Sequence, residues 1–123
     1  MSRSNLTKMN VAGLVERYAH NGIEQDDAIL HDDNAKFRRL FSEMRAIETE
    51  LKDRTGDRRR VLLGLFDHPN LQVQLNAAKA TLALEPVAAR RKIEAIRKEK
   101  WAPQGLDAGM TIRALEQGIF KPT

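Results

Sequence analysis

Residues 58–84 read RRRVLLGLFDHPNLQVQLNAAKATLAL. Val61, Leu62, Leu65 and Phe66 recur at helical spacing, and Val73, Ala77, Ala80 and Leu84 resume that spacing after the interruption Asp67-His68-Pro69-Asn70. Pro69 fixes φ and cannot donate to a helix ladder, while Asn70 can cap the next helix by accepting a backbone N–H bond. The stretch therefore predicts two antiparallel helices, Arg58 to Phe66 and Leu71 to Leu84, joined by a tight turn. The second carries another apolar line, Leu75, Ala78 and Leu82, so it must be covered on two sides and belongs inside a stack of helices.

On the N-terminal side, residues 1–9 are polar except for Met1, Leu6 and Met9 and are expected to be a loosely held end. Asn10 is a cap for a helix with Val11, Leu14, Val15, Tyr18 and Ala19 on one face. That face runs on through Gly22 and Ile23 to Ile29 and Leu30, which favours one long helix, since an internal glycine costs only about 1 kcal/mol against alanine. The same continuation places Gln25 and Asp26 among apolar neighbours. The acidic run after Leu30 is turn and cap chemistry. Phe37, Leu40, Phe41, Met44, Ile47 and Leu51 then define the next stripe, with Glu48 its one charged member and Lys36, Arg38, Arg39, Glu43, Arg45 and Glu50 mostly opposite. Gly56 is expected to end this helix and Asp57 to start the one at Arg58.

On the C-terminal side, Pro86 suits the first turn of a helix whose narrow apolar edge is Ala89, Ile93 and Ile96. Its remaining positions are largely charged, through Lys100, and Trp101 is expected to cover the end of the stack. Residues 102–105 read as a turn, and Asp107 as the cap of a last helix with Ala108, Met110, Ile112, Ala114 and Leu115 apolar. Gly118 stops it, with Ile119 and Phe120 folding back. No stretch alternates in the manner of a strand. The fold class expected is all-α, with five to seven helices in a single domain over residues 10–123.

The 123 residues are enough to bury a core. With no cysteine there is no disulfide framework, thiolate nucleophile or cysteine metal site. The short apolar runs exclude a membrane span and argue against a secretory signal, and a cytoplasmic location is expected. Net charge is +4, unevenly placed. Residues 1–50 hold seven Lys or Arg against nine Asp or Glu, and residues 51–123 hold fourteen against eight. A basic second half permits contact with nucleic acid or an acidic protein.

Residues 62–84 resemble a HEAT or armadillo-type repeat, with an apolar helix ending near His68-Pro69-Asn70 and Val73, Ala77 and Ala78 on the returning helix. Such repeats often carry arginine directly after the valine, where this chain has Gln74. From about Val11 to Thr123 the chain resembles a bacterial family known only as a domain of unknown function, number twenty-nineteen. The residues behind this are Gln25-Asp26, Asp33-Asn34-Ala35-Lys36-Phe37, Glu50-Leu51-Lys52, His68-Pro69-Asn70 and Ala77-Ala78-Lys79-Ala80. The resemblance implies a short, armadillo-like stack of antiparallel helices and supplies no activity or catalytic residues.

Gln25 and Asp26 are either a buried network holding helices in register or a small polar site. Asp26, Asp27, His31, Asp32 and Asp33 form the best cation candidate, because Asp27 and His31 share a helix face. They lack an Asp-x-Asp-x-Asp-Gly spacing and a second histidine, so helix termination is the preferred reading and no metal or cofactor is expected. His68 reads as a local hydrogen-bonding group, since no motif supplies a nucleophile. Arg58, Arg59, Arg60, Arg90, Arg91 and Arg97 are the possible basic interaction surface. The function expected is a non-catalytic adaptor that binds an unidentified protein partner or a second copy of itself. The alternative is nucleic-acid binding through the basic second half. Without paired carboxylates, a phosphate loop or a triad, an enzyme is not expected.

Overall fold

The amide of Gly13 donates to Asn10 Oδ1 at 2.8 Å, that of Lys36 to Asp33 Oδ1 at 3.0 Å, and that of Val73 to Asn70 Oδ1 at 3.1 Å. Each bond satisfies one orphan donor at a helix start. A computed structural model describes residues 3–99 and 101–123. The elements are α1 (Arg3–Thr7), α2 (Val11–Leu30), α3 (Asn34–Asp53), a 3₁₀ helix (Arg58–Asp67), α4 (Leu71–Ala80), α5 (Pro86–Glu99) and α6 (Gln104–Glu116). Among the described residues there is no strand, and the chain is all-helical. Residues 1 and 2 of the expected loose end, and Lys100, lie outside the described residues. The chain divides at Val61–Leu62 into two compact units, so what was expected as one domain over 10–123 is described in two parts.

In the first unit, α2 runs through Gly22 without a break, and a short turn returns the chain along it as α3. Leu14, Tyr18 and Ala28 of α2 are buried, as are Met44, Ile47 and Leu51 of α3. A fully buried leucine stabilises by about 1.5–3 kcal/mol relative to its exposed state. The buried line of α2 is not quite the one expected. It follows Leu14, Tyr18, Asn21, Gly22, Gln25 and Ala28, and leaves Ile23 and Leu30 exposed.

The segment before α2 is tied down. Residues Arg3–Thr7 are helical, Leu6 is buried, and Arg54 Nη2 donates to the carbonyls of Leu6 at 3.1 Å and Met9 at 2.6 Å. Arg54 Nε also donates to Glu50 Oε2 at 2.8 Å, so Glu50 is buried rather than on the solvent face expected for it. After Asp53, Gly56 takes a left-handed φ of 81°. Asp57 then accepts from the amide of Arg59.

The unit boundary falls inside the 3₁₀ helix, which the sequence reading made an α-helix. In a helix of three residues per turn, every third side chain is aligned. Arg59 and Leu62 are buried and Leu65 half-buried on one edge, while Arg58, Gly64 and Asp67 are exposed.

In the second unit, Leu75, Ala78, Leu82, Ala89, Ile93, Ile96, Ala108 and Ile112 form one core, with Phe66, Leu71, Leu115 and Phe120 packed around it. Val73, Leu75, Ala77 and Ala78 are all fully buried, so both apolar lines of α4 are covered. The helix stops at Ala80, four residues short of the expected Leu84. Thr81 ends it by turning its hydroxyl back to the carbonyls of Ala77 at 2.9 Å and Ala78 at 3.2 Å. Pro86 opens α5 and Ala89, Ile93 and Ile96 are its buried edge, both as read from the sequence. The last helix starts at Gln104, so Asp107 lies in its first turn instead of capping it. Gly118 follows it at φ 71°. Phe120 folds onto the core, while Ile119, Met110 and Trp101 are exposed. Trp101, 65% exposed, does not cover the end of a core.

Candidate functional site

Gln25 is buried on α2. Its Nε2 donates to Asn21 Oδ1 at 2.7 Å, one turn back, and to Met44 Sδ at 3.4 Å. Asn21 Nδ2 donates in turn to the carbonyl of Leu40 at 2.9 Å, so two amides bridge α2 and α3. Asp26, expected beside Gln25, is only half-buried and is not part of these bonds. Among the described residues no buried side-chain nitrogen or oxygen lacks a hydrogen-bond partner. The second unit holds a comparable set that the sequence reading missed. Gln104 Nε2 donates to Gln72 Oε1 at 3.0 Å, and Gln72 Nε2 to Asn76 Oδ1 at 2.9 Å, all three buried. In both units an amide pair spaced i, i+4 was the available signal.

Beside Asn21 lies an open cleft of about 560 Å³, lined in part by Glu16, Arg17, His20, Glu24, Leu40 and Glu43. Its charges are largely committed. Arg17 Nε donates to Glu43 Oε1 at 3.0 Å, and Lys36 Nζ lies 3.3 Å from Glu24. Nearby, Tyr18 is fully buried with its hydroxyl donating to Glu48 Oε2 at 2.6 Å, and Arg45 reaches Glu48 Oε1 at 3.2 Å. Burial, then the Glu48 charge and hydrogen bond, push the Tyr18 phenol well above its ordinary value. The charged member of the α3 stripe is thus partnered by the tyrosine.

The acidic segment is organised around Lys36. Its Nζ donates to Asp27 Oδ2 at 2.9 Å, which holds the Asp27 carboxyl below its usual range and raises the lysine. Asp33 caps α3, and His31 Nδ1 lies 3.3 Å from Asp27 Oδ1. Among the described residues no group of three or more His, Asp or Glu side chains is placed to hold a metal ion.

Along the outer face of α3, Phe37, Arg38, Phe41, Ser42 and Arg45 line a groove of about 430 Å³. The two phenyl rings stack with centroids 6.2 Å apart and planes 24° from parallel, and Phe41 is 45% exposed although the sequence stripe placed it inside. Phe37 also lines an adjoining groove of about 240 Å³ with Ala28, Ile29, Asp32 and Asn34. The sequence reading found no site here.

The six arginines of the possible basic surface fall in both units. Arg59 is buried, its guanidinium held by Asp57 at 2.9 and 2.7 Å. The side-chain hydrogen bond from Arg59 depresses the Asp57 carboxyl, and Asp57 raises Arg59. Arg90 Nη2 donates to Glu116 at 2.8 Å, and Arg97 lies 3.7 Å from Glu94. Arg58, Arg60 and Arg91 are exposed. Sequence reasoning did not see that Arg59 is withdrawn from solvent by its own neighbour two residues back. His68 works locally, its Nδ1 accepting from the amide of Asn70 at 3.0 Å. Gln74 donates to the carbonyl of His68 at 2.6 Å.

Residues 12–116 match the family described as Domain of unknown function (DUF2019), and the chain belongs to that family. The crystal structure of the protein RPA1889 from Rhodopseudomonas palustris CGA009 is similar to it at 50% sequence identity and a TM-score of 0.94, over 96% of this chain and 98% of that one. No curated protein matches the chain. Among the described residues no helix is long and apolar enough to cross a membrane.

Proposed function

We propose that this chain is a non-catalytic protein-interaction module of cytoplasmic type, built on antiparallel helix pairs of the HEAT or armadillo kind. The observation that carries the reading is the exposure of large apolar side chains on helical faces in both units. Phe41 stands out on α3, and Leu106 and Met110, one turn apart on α6, are 69% and 60% exposed. Large aromatic and aliphatic side chains left in water are characteristic of surfaces that bind another protein. Among the described residues, Tyr18 and the members of the pairs Asp27–Lys36 and Asp57–Arg59 are displaced from their ordinary values. Burial and the Glu48 contact displace Tyr18, and ion pairs displace the others, Lys36 being held by both Asp27 and Glu24.

The test is affinity capture from a host extract with the intact chain and with a variant carrying Phe41→Ser, Leu106→Ser and Met110→Ser, half of each sample treated with nuclease. The expected result is a defined protein that survives nuclease and is lost with the variant. Recovery of nuclease-sensitive nucleic acid alone, or of nothing, overturns the proposal.

A further inference from the structure

We infer that the α3 groove around Phe37 and Phe41 receives an acidic segment of a partner protein carrying a large apolar side chain. This rests on the interaction-module reading and names the surface and the chemistry of its ligand. Two turns of α3, about 12 Å from Phe37 to Arg45 at 1.5 Å per residue, supply the stacked phenyl pair and two guanidinium groups. A stacked aromatic pair, Phe41 exposed and Phe37 half-buried, beside arginines is the composition of an interface centre, where a few such residues carry most of the affinity.

The charge at this face decides the occupant. Arg38 and the adjacent Arg39 are exposed and have no ion-pair partner among the described residues. Arg45 is two-thirds exposed and, among the described residues, reaches only Glu48, whose other oxygen is already taken by Tyr18. A carboxylate offered to Arg38 makes charge-assisted, bidentate bonds that the free protein lacks, and one offered to Arg45 adds to its bond with Glu48. A second copy is a poor fit, because a two-fold contact sets the same patch against itself and brings arginine to arginine. A nucleic-acid strand is also disfavoured, since its backbone carries a charge at every nucleotide and continues past Phe37 to the carboxylate of Asp32, whereas a peptide can place its acidic residues at Arg38 and Arg45 alone.

The experiment pans a display library of random peptides against the intact chain. An enriched peptide is then titrated against the wild type, Phe41→Ala and Arg38→Glu, with helicity checked by circular dichroism. Expected are sequences with a large apolar residue flanked by Asp or Glu, and affinity lower by roughly tenfold or more in either variant. A lysine-substituted peptide should recover binding to Arg38→Glu. Absence of enrichment, enrichment of sequences without acidic residues, or binding indifferent to both variants overturns the inference. Indifference to both variants with a peptide that does bind leaves the interaction-module reading standing, whereas failure of the capture experiment removes that reading itself. Binding of an oligothymidylate with the same sensitivity to both variants, or a dimer in light scattering that Phe41→Ala dissolves, also overturns it and assigns the groove to nucleic acid or to a second copy.

Discussion

The hydroxyl of Tyr18 donates to Glu48 Oε2 at 2.6 Å, a bond from the buried face of α2 to a carboxylate of α3. Removing the hydroxyl in Tyr18→Phe deletes a hydrogen bond to a charged acceptor and should cost about 1.5–3 kcal/mol in urea unfolding. The pH dependence has a defined sign. The folded phenol titrates well above the ordinary value of 10.0, so its contribution is complete below that value and is lost as pH rises toward the folded value. The wild type should therefore lose stability above about pH 10 more steeply than Tyr18→Phe, measured as unfolding midpoint against pH.

Gln25→Leu should cost about 1–3 kcal/mol, because Asn21 Oδ1 loses its buried donor while the apolar volume is nearly kept. Chemical denaturation checks this. An unchanged midpoint would mean that the bridge between α2 and α3 contributes nothing.

Arg54→Ala should free the N-terminal segment without unfolding the α2–α3 pair, since Arg54 holds the carbonyls of Leu6 and Met9. Amide hydrogen exchange should speed up in residues 5–9 and stay slow in the middle of α2 and α3.

Ala77→Leu should destabilise the second unit by about 1–3 kcal/mol, because Ala77 is fully buried on a helix covered on both sides. Thermal unfolding at a higher or equal midpoint would show room that the packing does not indicate.

Much of the fold was legible because caps and apolar periods are local signals. Asn10, Asn70 and Pro86 marked helix starts from their own side chains, and Ala89, Ile93 and Ile96 read as a buried edge. The errors came where distant or finer chemistry decides. The 3₁₀ turn of Arg58–Asp67 shares its apolar residues with an α-helical pattern over so short a span. The end of α4 depends on a threonine hydroxyl turning back, and the early start of α6 had no side-chain cap to announce it. Gln25 was found because it interrupts an apolar face, but nothing in the sequence reading singled out Asn21 as its partner, one turn back. The aromatic groove stayed hidden because a periodic stripe does not say which of its members a neighbour covers. Phe41 shares spacing with Met44 and Ile47, yet only the last two are buried.

The central claim is tested most directly by size-exclusion light scattering on material captured by the intact chain and treated with nuclease. The predicted result is a single species whose mass exceeds one chain by that of a defined protein, and which is lost with Phe41→Ser, Leu106→Ser and Met110→Ser together. A species with the mass of one chain and nothing bound would contradict it.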